Sequence, residues 1–194
     1  MAPTELERKK RKTRKDYVFH LEYRTRWSDN DMYAHLNNSI YAFLIDSIVN
    51  TYLINHCGLD PFSARSSSSS PSPSAIPVTP HSTSSTPSPP TQIGLVVSSY
   101  CDYFSSLSFP DVLDLGLRVI KLGSSSVKYE VGIFRRGDDA VKAVGGFTHV
   151  FVEKGGIRSV GRDAGGKKGM DVRIRKGLER LVVKGVENEG IPKL

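Results

Sequence analysis

The chain is poor in cysteine and tryptophan, with two of the first and one of the second among 194 residues. Cys57 and Cys101 fall in apolar segments of opposite expected type, a helix end and a strand, and no CxxC or Cys/His ligand spacing occurs. This points to reduced thiols in a reducing compartment and to no bound metal. No run approaches the roughly 18 apolar residues that a membrane helix needs, so no membrane span is expected. Residues 1–16, MAPTELERKKRKTRKD, have no apolar centre of the kind that marks a secretory signal. Glu5 and Glu7 beside the basic run fit a mitochondrial leader poorly. A cytoplasmic location is expected, with mitochondrial as the alternative. Ahead of Asn38 there is also no GxSxG elbow, P-loop or GxGxxG in a supporting context.

What the chain does have is uneven charge. The formal net charge is +7, and Arg8, Lys9, Lys10, Arg11, Lys12, Arg14 and Lys15 crowd into one short stretch. Residues 1–16 therefore read as a basic disordered tail. Charge alone would let it touch nucleic acid or an anionic surface. No interleaved aromatic motif supports a nucleic-acid partner, so none is expected. Residues 64–91 are a Ser/Pro/Thr tract with almost no apolar side chains to offset ordering entropy, and they read as a disordered insert within one domain. Ser70, Ser72, Thr79, Thr86 and Ser88 each precede a proline, a pattern that suits proline-directed kinases. With 38% hydrophobic residues the chain can fill one core. The expected plan is one domain over 17–160 and a basic C-terminal extension over 161–194, with a short helix at Leu178 to Val183.

Residues 17–27, YVFHLEYRTRW, alternate with period two and read as a half-buried strand. Asn38 to about Cys57 reads as a helix, with Asn37 or Asn38 as N-cap and Gly58 and Pro61 as stop. Ile40, Tyr41, Leu44, Ile45, Ile48, Val49, Tyr52 and Leu53 make it apolar enough to be buried on most of its circumference. Four strands are expected after the tract, at about Ile93 to Phe104, Val112 to Leu122, Val127 to Arg136 and Ala140 to Glu153. Tight turns at 123–126 and 137–139 imply antiparallel pairing. One strand, one long helix and four strands make an α+β plan in which a curved antiparallel sheet wraps around one buried helix.

The densest set of functional groups lies between the first strand and the helix start: Asp29, Asn30, Asp31, His35, Asn37 and Asn38. The first-turn amides of a helix lack intrahelical acceptors and carry the positive end of its dipole, so they can hold an oxyanion. A carboxylate just upstream can reach the same carbonyl as nucleophile or as base for water. On local chemistry alone the same residues are equally turn formers and caps.

The segment RWSDNDMYAHLNNSIYAFLIDS resembles the opening signature of the 4-hydroxybenzoyl-CoA thioesterase-like branch of the hotdog superfamily. That signature has an aromatic strand end, an Asp-x-Asp, a turn often ending Gly-His-x-Asn-Asn, and an aromatic-rich helix. Tyr103 through Asp111, LRVIKLGSSSV at 117–127 and AVGGFTHVFV at 143–152 are similar to later parts of the same branch. The resemblance implies a hotdog fold and hydrolysis of an acyl-CoA thioester, with CoA as part of the substrate and no other cofactor. It also implies a homodimer or homotetramer. By position, Asp31 matches the catalytic carboxylate and the Asn38 backbone N–H the oxyanion donor. His35 and Asn37 match residues that line the substrate site, and Ser124, Ser125 and Ser126 a turn near the thioester end of bound CoA. An enoyl-thioester hydratase and a non-catalytic acyl-thioester-binding protein are the alternatives on this fold. The sequence departs from the signature at Tyr33 and Ala34, where the branch often ends its turn in Gly.

Overall fold

A computed structural model of the protein describes residues 2–60, 90–153 and 169–183. The order of elements is α1 (Glu5–Lys10), β1 (Phe19–Arg24), α2 (Asn38–Cys57), β2 (Gln92–Tyr103), β3 (Val112–Leu122), β4 (Ser126–Arg135), β5 (Val141–Glu153) and α3 (Val172–Glu179). The strands form one antiparallel sheet in the order β1-β3-β4-β5-β2.

Strand periodicity sets which face meets the helix. Leu113, Leu115 and Leu117 of β3, Val127, Tyr129, Val131 and Ile133 of β4, and Ala143, Phe147 and Phe151 of β5 join one apolar cluster. Tyr41, Leu44, Ile45, Ile48, Val49, Tyr52, Leu53 and Cys57 of α2 complete it, at the spacing of one helix face. Burial on most of the helix circumference is not what is found. Phe43 is 66% and Ile54 42% exposed, because the sheet covers only one side. Asn37 supplies the N-cap, its Oδ1 accepting from the Ser39 N–H at 3.0 Å. Gly58, at φ 68°, ends the helix in a left-handed conformation that a side chain would oppose.

The expected disordered tail is corrected over residues 4–16. Thr4 and Glu7 form a capping box on α1. Lys9 reaches Asp102 of β2 at 2.7 Å and sits 4.4 Å from the centre of the Tyr100 ring. Arg14 donates to the carbonyls of Arg135 at 2.8 Å and Asp138 at 2.9 Å, and pairs with Asp114. The high charge density belongs to a segment whose partners lie on the sheet. Tyr17 then crosses the convex face: its ring occupies the space that a Cβ on Gly116 or Gly132 would need. Beneath it lies a buried Arg118–Glu130 pair at 2.8 Å, and the Tyr17 hydroxyl donates to Glu130 at 3.3 Å.

The final helix is also displaced from its expected place: it spans Val172–Glu179, with Asp171 as its cap, and not Leu178 to Val183. Ile174 and Leu178 set its buried face, and the Tyr52 hydroxyl donates to the Gly177 carbonyl at 2.7 Å. Residues 64–89 of the expected Ser/Pro insert at 64–91, and the expected domain end at 160, lie outside the described residues. Thr91 is already tied to Glu153 at 3.0 Å.

Candidate functional site

The loop from Arg24 to Asn38 places the polar cluster at the end of the sheet where Arg24 pairs with Val112. Asp29 acts within the loop, accepting from the Tyr23 hydroxyl at 2.9 Å and the Arg26 N–H at 2.7 Å. Asn30 accepts from the Phe109 N–H at 3.0 Å. The Leu36 N–H donates to the Leu107 carbonyl at 2.7 Å, and the Asn37 N–H to the Asp29 carbonyl at 2.9 Å. These bonds fix where α2 starts.

Asp31 is half-buried. Its Oδ1 accepts from the amides of Tyr33 at 2.8 Å and His35 at 3.1 Å. Oδ2 accepts no hydrogen bond from the described residues. The turn that makes this possible runs through Ala34 at φ 58°, a left-handed conformation costly for any residue with a Cβ. This is the position at which the signature often has Gly.

At the helix start the amides divide in an informative way. Ser39 N–H is taken by Asn37 Oδ1 and Ile40 N–H by the Asn37 carbonyl at 2.9 Å. Asn38 N–H has no acceptor among the described residues. Asn38 also borders a cleft of about 220 Å³ between α2 and β2, lined further by Ala42, Ile45, Ser99, Tyr100, Cys101, Tyr103 and Phe147. Tyr41 and Tyr103 meet edge to face at 4.9 Å by its mouth. Burial pushes the Cys101 thiol up to about 11, so it stays protonated near neutrality. Sequence reading missed the β2 contribution. Its signal was parity: Ser99, Cys101 and Tyr103 alternate along one strand face.

The structure does not bring all the expected site residues together. Asp31 and Asn38 share one loop and helix start, but Asp31 does not line the cleft. His35 is exposed and contributes its backbone to the Asp31 turn. Asn37 Oδ1 is spent on capping Ser39, whose hydroxyl it also accepts at 2.8 Å. Ser124, Ser125 and Ser126 lie at the opposite end of the sheet, between the paired Leu122 and Val127, with Ser126 as the first residue of β4. There the Ser124 carbonyl accepts from Met170 N–H and the Ser125 carbonyl from Phe151 N–H, both at 2.8 Å. With α2 about 30 Å long between these ends, a single chain keeps the serines away from Asp31. Among the described residues no group of three or more His, Cys, Asp or Glu side chains is placed to hold a metal ion.

The sequence pattern of the Thioesterase superfamily matches residues 33–142, more than half of the chain. The chain belongs to the thioesterase superfamily. The match begins two residues after Asp31, so this carboxylate lies just ahead of it. Among solved structures, the thioesterase chain is similar to the PA5185 protein from Pseudomonas aeruginosa. The two share 35% identity over 89% of this chain and 96% of that one, with a TM-score of 0.68. It also shares its fold with SAV2348 from Staphylococcus aureus, solved in complex with CoA (12% identity, 84% of this chain, 82% of that one, TM-score 0.62). The BH1999 gentisyl-coenzyme A thioesterase has the same fold (13% identity, 83% and 99% covered, TM-score 0.57). A comparison with curated protein sequences returns no match. The expected hotdog fold and family are thus those found. Among the described residues no helix is long and apolar enough to cross a membrane.

Proposed function

We propose that this thioesterase hydrolyses an acyl-CoA thioester to the free carboxylate and CoA. The observation that carries the reading is one unspent amide, Asn38 N–H, bordering a cleft at a helix amino end, with a carboxylate seven residues earlier on the same loop. The acyl carbonyl docks at the start of α2, where Asn38 N–H and the helix dipole stabilise the oxyanion. Asp31, steered through Oδ1 by two loop amides, presents Oδ2. It either attacks the carbonyl carbon, giving an anhydride that water opens, or takes the proton from an attacking water. In both routes the C–S bond breaks and the CoA thiolate leaves and is protonated. The solved CoA complex of SAV2348 supports CoA as the thiol part.

A homodimer or homotetramer completes the reading. Strand β2 is an edge of the sheet, and Val96 and Val97 on it are 50% and 59% exposed. An exposed edge of this length invites pairing with another strand. Antiparallel pairing with a second β2 sets the Gln92 end of one strand beside the Tyr103 end of the other. That arrangement carries the partner subunit's Ser124, Ser125 and Ser126 toward this chain's Asp31, which one chain alone cannot do.

The test is thiol release from short, medium, long and aromatic acyl-CoAs. Asp31→Asn keeps an acceptor for the Tyr33 and His35 amides, so the turn stays intact. Its rate is expected to fall on the order of 100-fold or more. An undiminished rate in the folded variant would reject the role of Asp31. Hydration of crotonyl-CoA without thiol release would replace hydrolysis by the hydratase reading.

A further inference from the structure

Thr13 joins two anchored pieces of the N-terminal segment. Before it, α1 is held to β2 by Lys9, which meets Asp102 at 2.7 Å. After it, one tight turn over Arg14–Asp16 leads to Tyr17, whose ring fills the trough over Gly116 and Gly132. Thr13 itself is extended, at φ −122° and ψ 168°, and exposed.

Its polar groups close that turn. The Asp16 carboxylate accepts from the Thr13 N–H at 2.8 Å and from the Thr13 hydroxyl at 3.0 Å. Burial pushes the Asp16 carboxyl up, but the two Thr13 bonds and Lys12 at 3.8 Å outweigh it and hold the group below its ordinary range. An ionised carboxylate therefore faces the hydroxyl near neutrality. The next residue, Arg14, fastens the segment to the sheet. It donates to the carbonyls of Arg135 at 2.8 Å and Asp138 at 2.9 Å, meets Asp114 at 3.3 Å, and stands 4.9 Å from the centre of the Phe134 ring.

Lys10, Arg11 and Lys12 run directly ahead of this hydroxyl, and Lys10 and Arg11 are exposed. Cations three and two residues before an accessible hydroxyl form the charge pattern that a kinase with an acidic substrate groove selects. Solubility alone would be served by cations anywhere on the segment, whereas these abut the hydroxyl that closes the turn.

We propose that Thr13 is a phosphorylation site for a basophilic protein kinase, and that its phosphate releases residues 13–17 from the sheet. This is independent of the hydrolysis proposed above. In the transfer, the γ-phosphorus of a nucleoside triphosphate bonds to Thr13 Oγ1 as its bond to the β,γ-bridging oxygen breaks. The hydroxyl proton passes to a base on the kinase, and the nucleoside diphosphate leaves. The product carries about −1.5 to −2 charges where a donor to Asp16 stood. Two anions then face each other across the turn. Arg14, adjacent in the chain, exchanges its acceptors on the sheet for phosphate oxygens, because guanidinium–phosphate bonds are charge-assisted and bidentate. The segment loses its fastening next to Tyr17.

The full chain is incubated with ATP and the catalytic subunit of cAMP-dependent protein kinase, and the sites are mapped by tandem mass spectrometry. Thr13 is labelled, and Lys10→Gln with Arg11→Gln slows its labelling about 10-fold or more. Amide exchange is then compared with and without the phosphate. The Tyr17 and Val18 amides donate to the Arg14 and Leu117 carbonyls at 3.2 and 3.1 Å. Phosphate on Thr13 speeds their exchange about 10-fold or more. Arg14→Gln speeds the same amides without phosphate. Asp16→Asn keeps an acceptor for the Thr13 amide and removes the charge, so in that background the phosphate gives a smaller acceleration. A kinase preparation that labels a standard substrate peptide and leaves Thr13 unmodified overturns the inference. So does a phosphate on Thr13 that leaves exchange at Tyr17 and Val18 unchanged, or an acceleration undiminished in Asp16→Asn.

Discussion

The two faces of the sheet treat polar groups in opposite ways. On the convex face the buried charges are paired: Arg118 holds Glu130, Tyr17 donates to the same carboxylate, and buried Lys142 meets Asp138. On the concave face an apolar core closes on α2, and the two buried side-chain atoms left unpartnered among the described residues are both there. One face satisfies its polar groups internally and serves stability. The other closes on the helix through apolar contacts and leaves the Tyr129 hydroxyl and His149 Nδ1 without a partner.

The largest expected effect breaks the convex side. Arg118→Met strands the Glu130 carboxylate and is expected to cost about 3–5 kcal/mol in chemical denaturation. Thioester hydrolysis per folded molecule is expected to stay unchanged. Adding Glu130→Leu recovers most of that loss, since a buried pair replaced whole by apolar groups is often neutral. If the double variant stays as unstable as the single, the pairing is not what the face depends on.

The next effect belongs to the concave side and appears with pH. The folded state holds His149 at about 4, below its ordinary 6.5. Between those values the unfolded chain binds a proton that the folded chain refuses. Stability therefore rises with pH across that window and is flat above it, as far as this group is concerned. The span corresponds to at most about 3 kcal/mol. Urea denaturation from pH 4 to pH 7 is expected to show this slope in the native protein and to lose it in His149→Phe. A slope unchanged by the substitution would assign it to other groups.

The smallest effect sharpens the contrast at the loop. Ala34 stands at φ 58°, so strain is stored on the site side. Ala34→Gly is expected to raise stability by about 0.5–1 kcal/mol, the relief of the left-handed Cβ clash less the added freedom of the unfolded chain. A lower melting temperature for Ala34→Gly would show that the turn is not strained.

Sequence reading located α2 at Asn38 to Cys57 and placed the four later strands within one or two residues, because apolar periodicity and turn residues are local signals. Strand order was not legible. That β2 forms an edge while β5 lies inside depends on pairings between distant segments, such as Gln92 with Glu153. The N-terminal segment was misread because its charge density outweighed the Thr4 and Glu7 capping signal, and because its partners Asp102 and Asp114 lie far along the chain. At the site, local chemistry offered only a cluster and the family resemblance singled out Asp31 and Asn38, while the choice between Asn37 and Asn38 as cap had to come from which amide the Asn37 side chain reaches. Tyr129 and His149 carried no local signal, since each reads as one more aromatic position in a buried strand.

The resting place of Tyr17 bears on where the folding unit starts. The recognised family pattern begins at residue 33, yet the trough over Gly116 and Gly132 is filled from residue 17. A fragment trimmed to the pattern would uncover backbone in the middle of the sheet and discard the Asp31 carboxylate in the same cut. Proteolysis between Arg14 and Tyr17 would unfasten the strap that fills this trough. For this chain, homology marks a boundary that is narrower than the cooperative one.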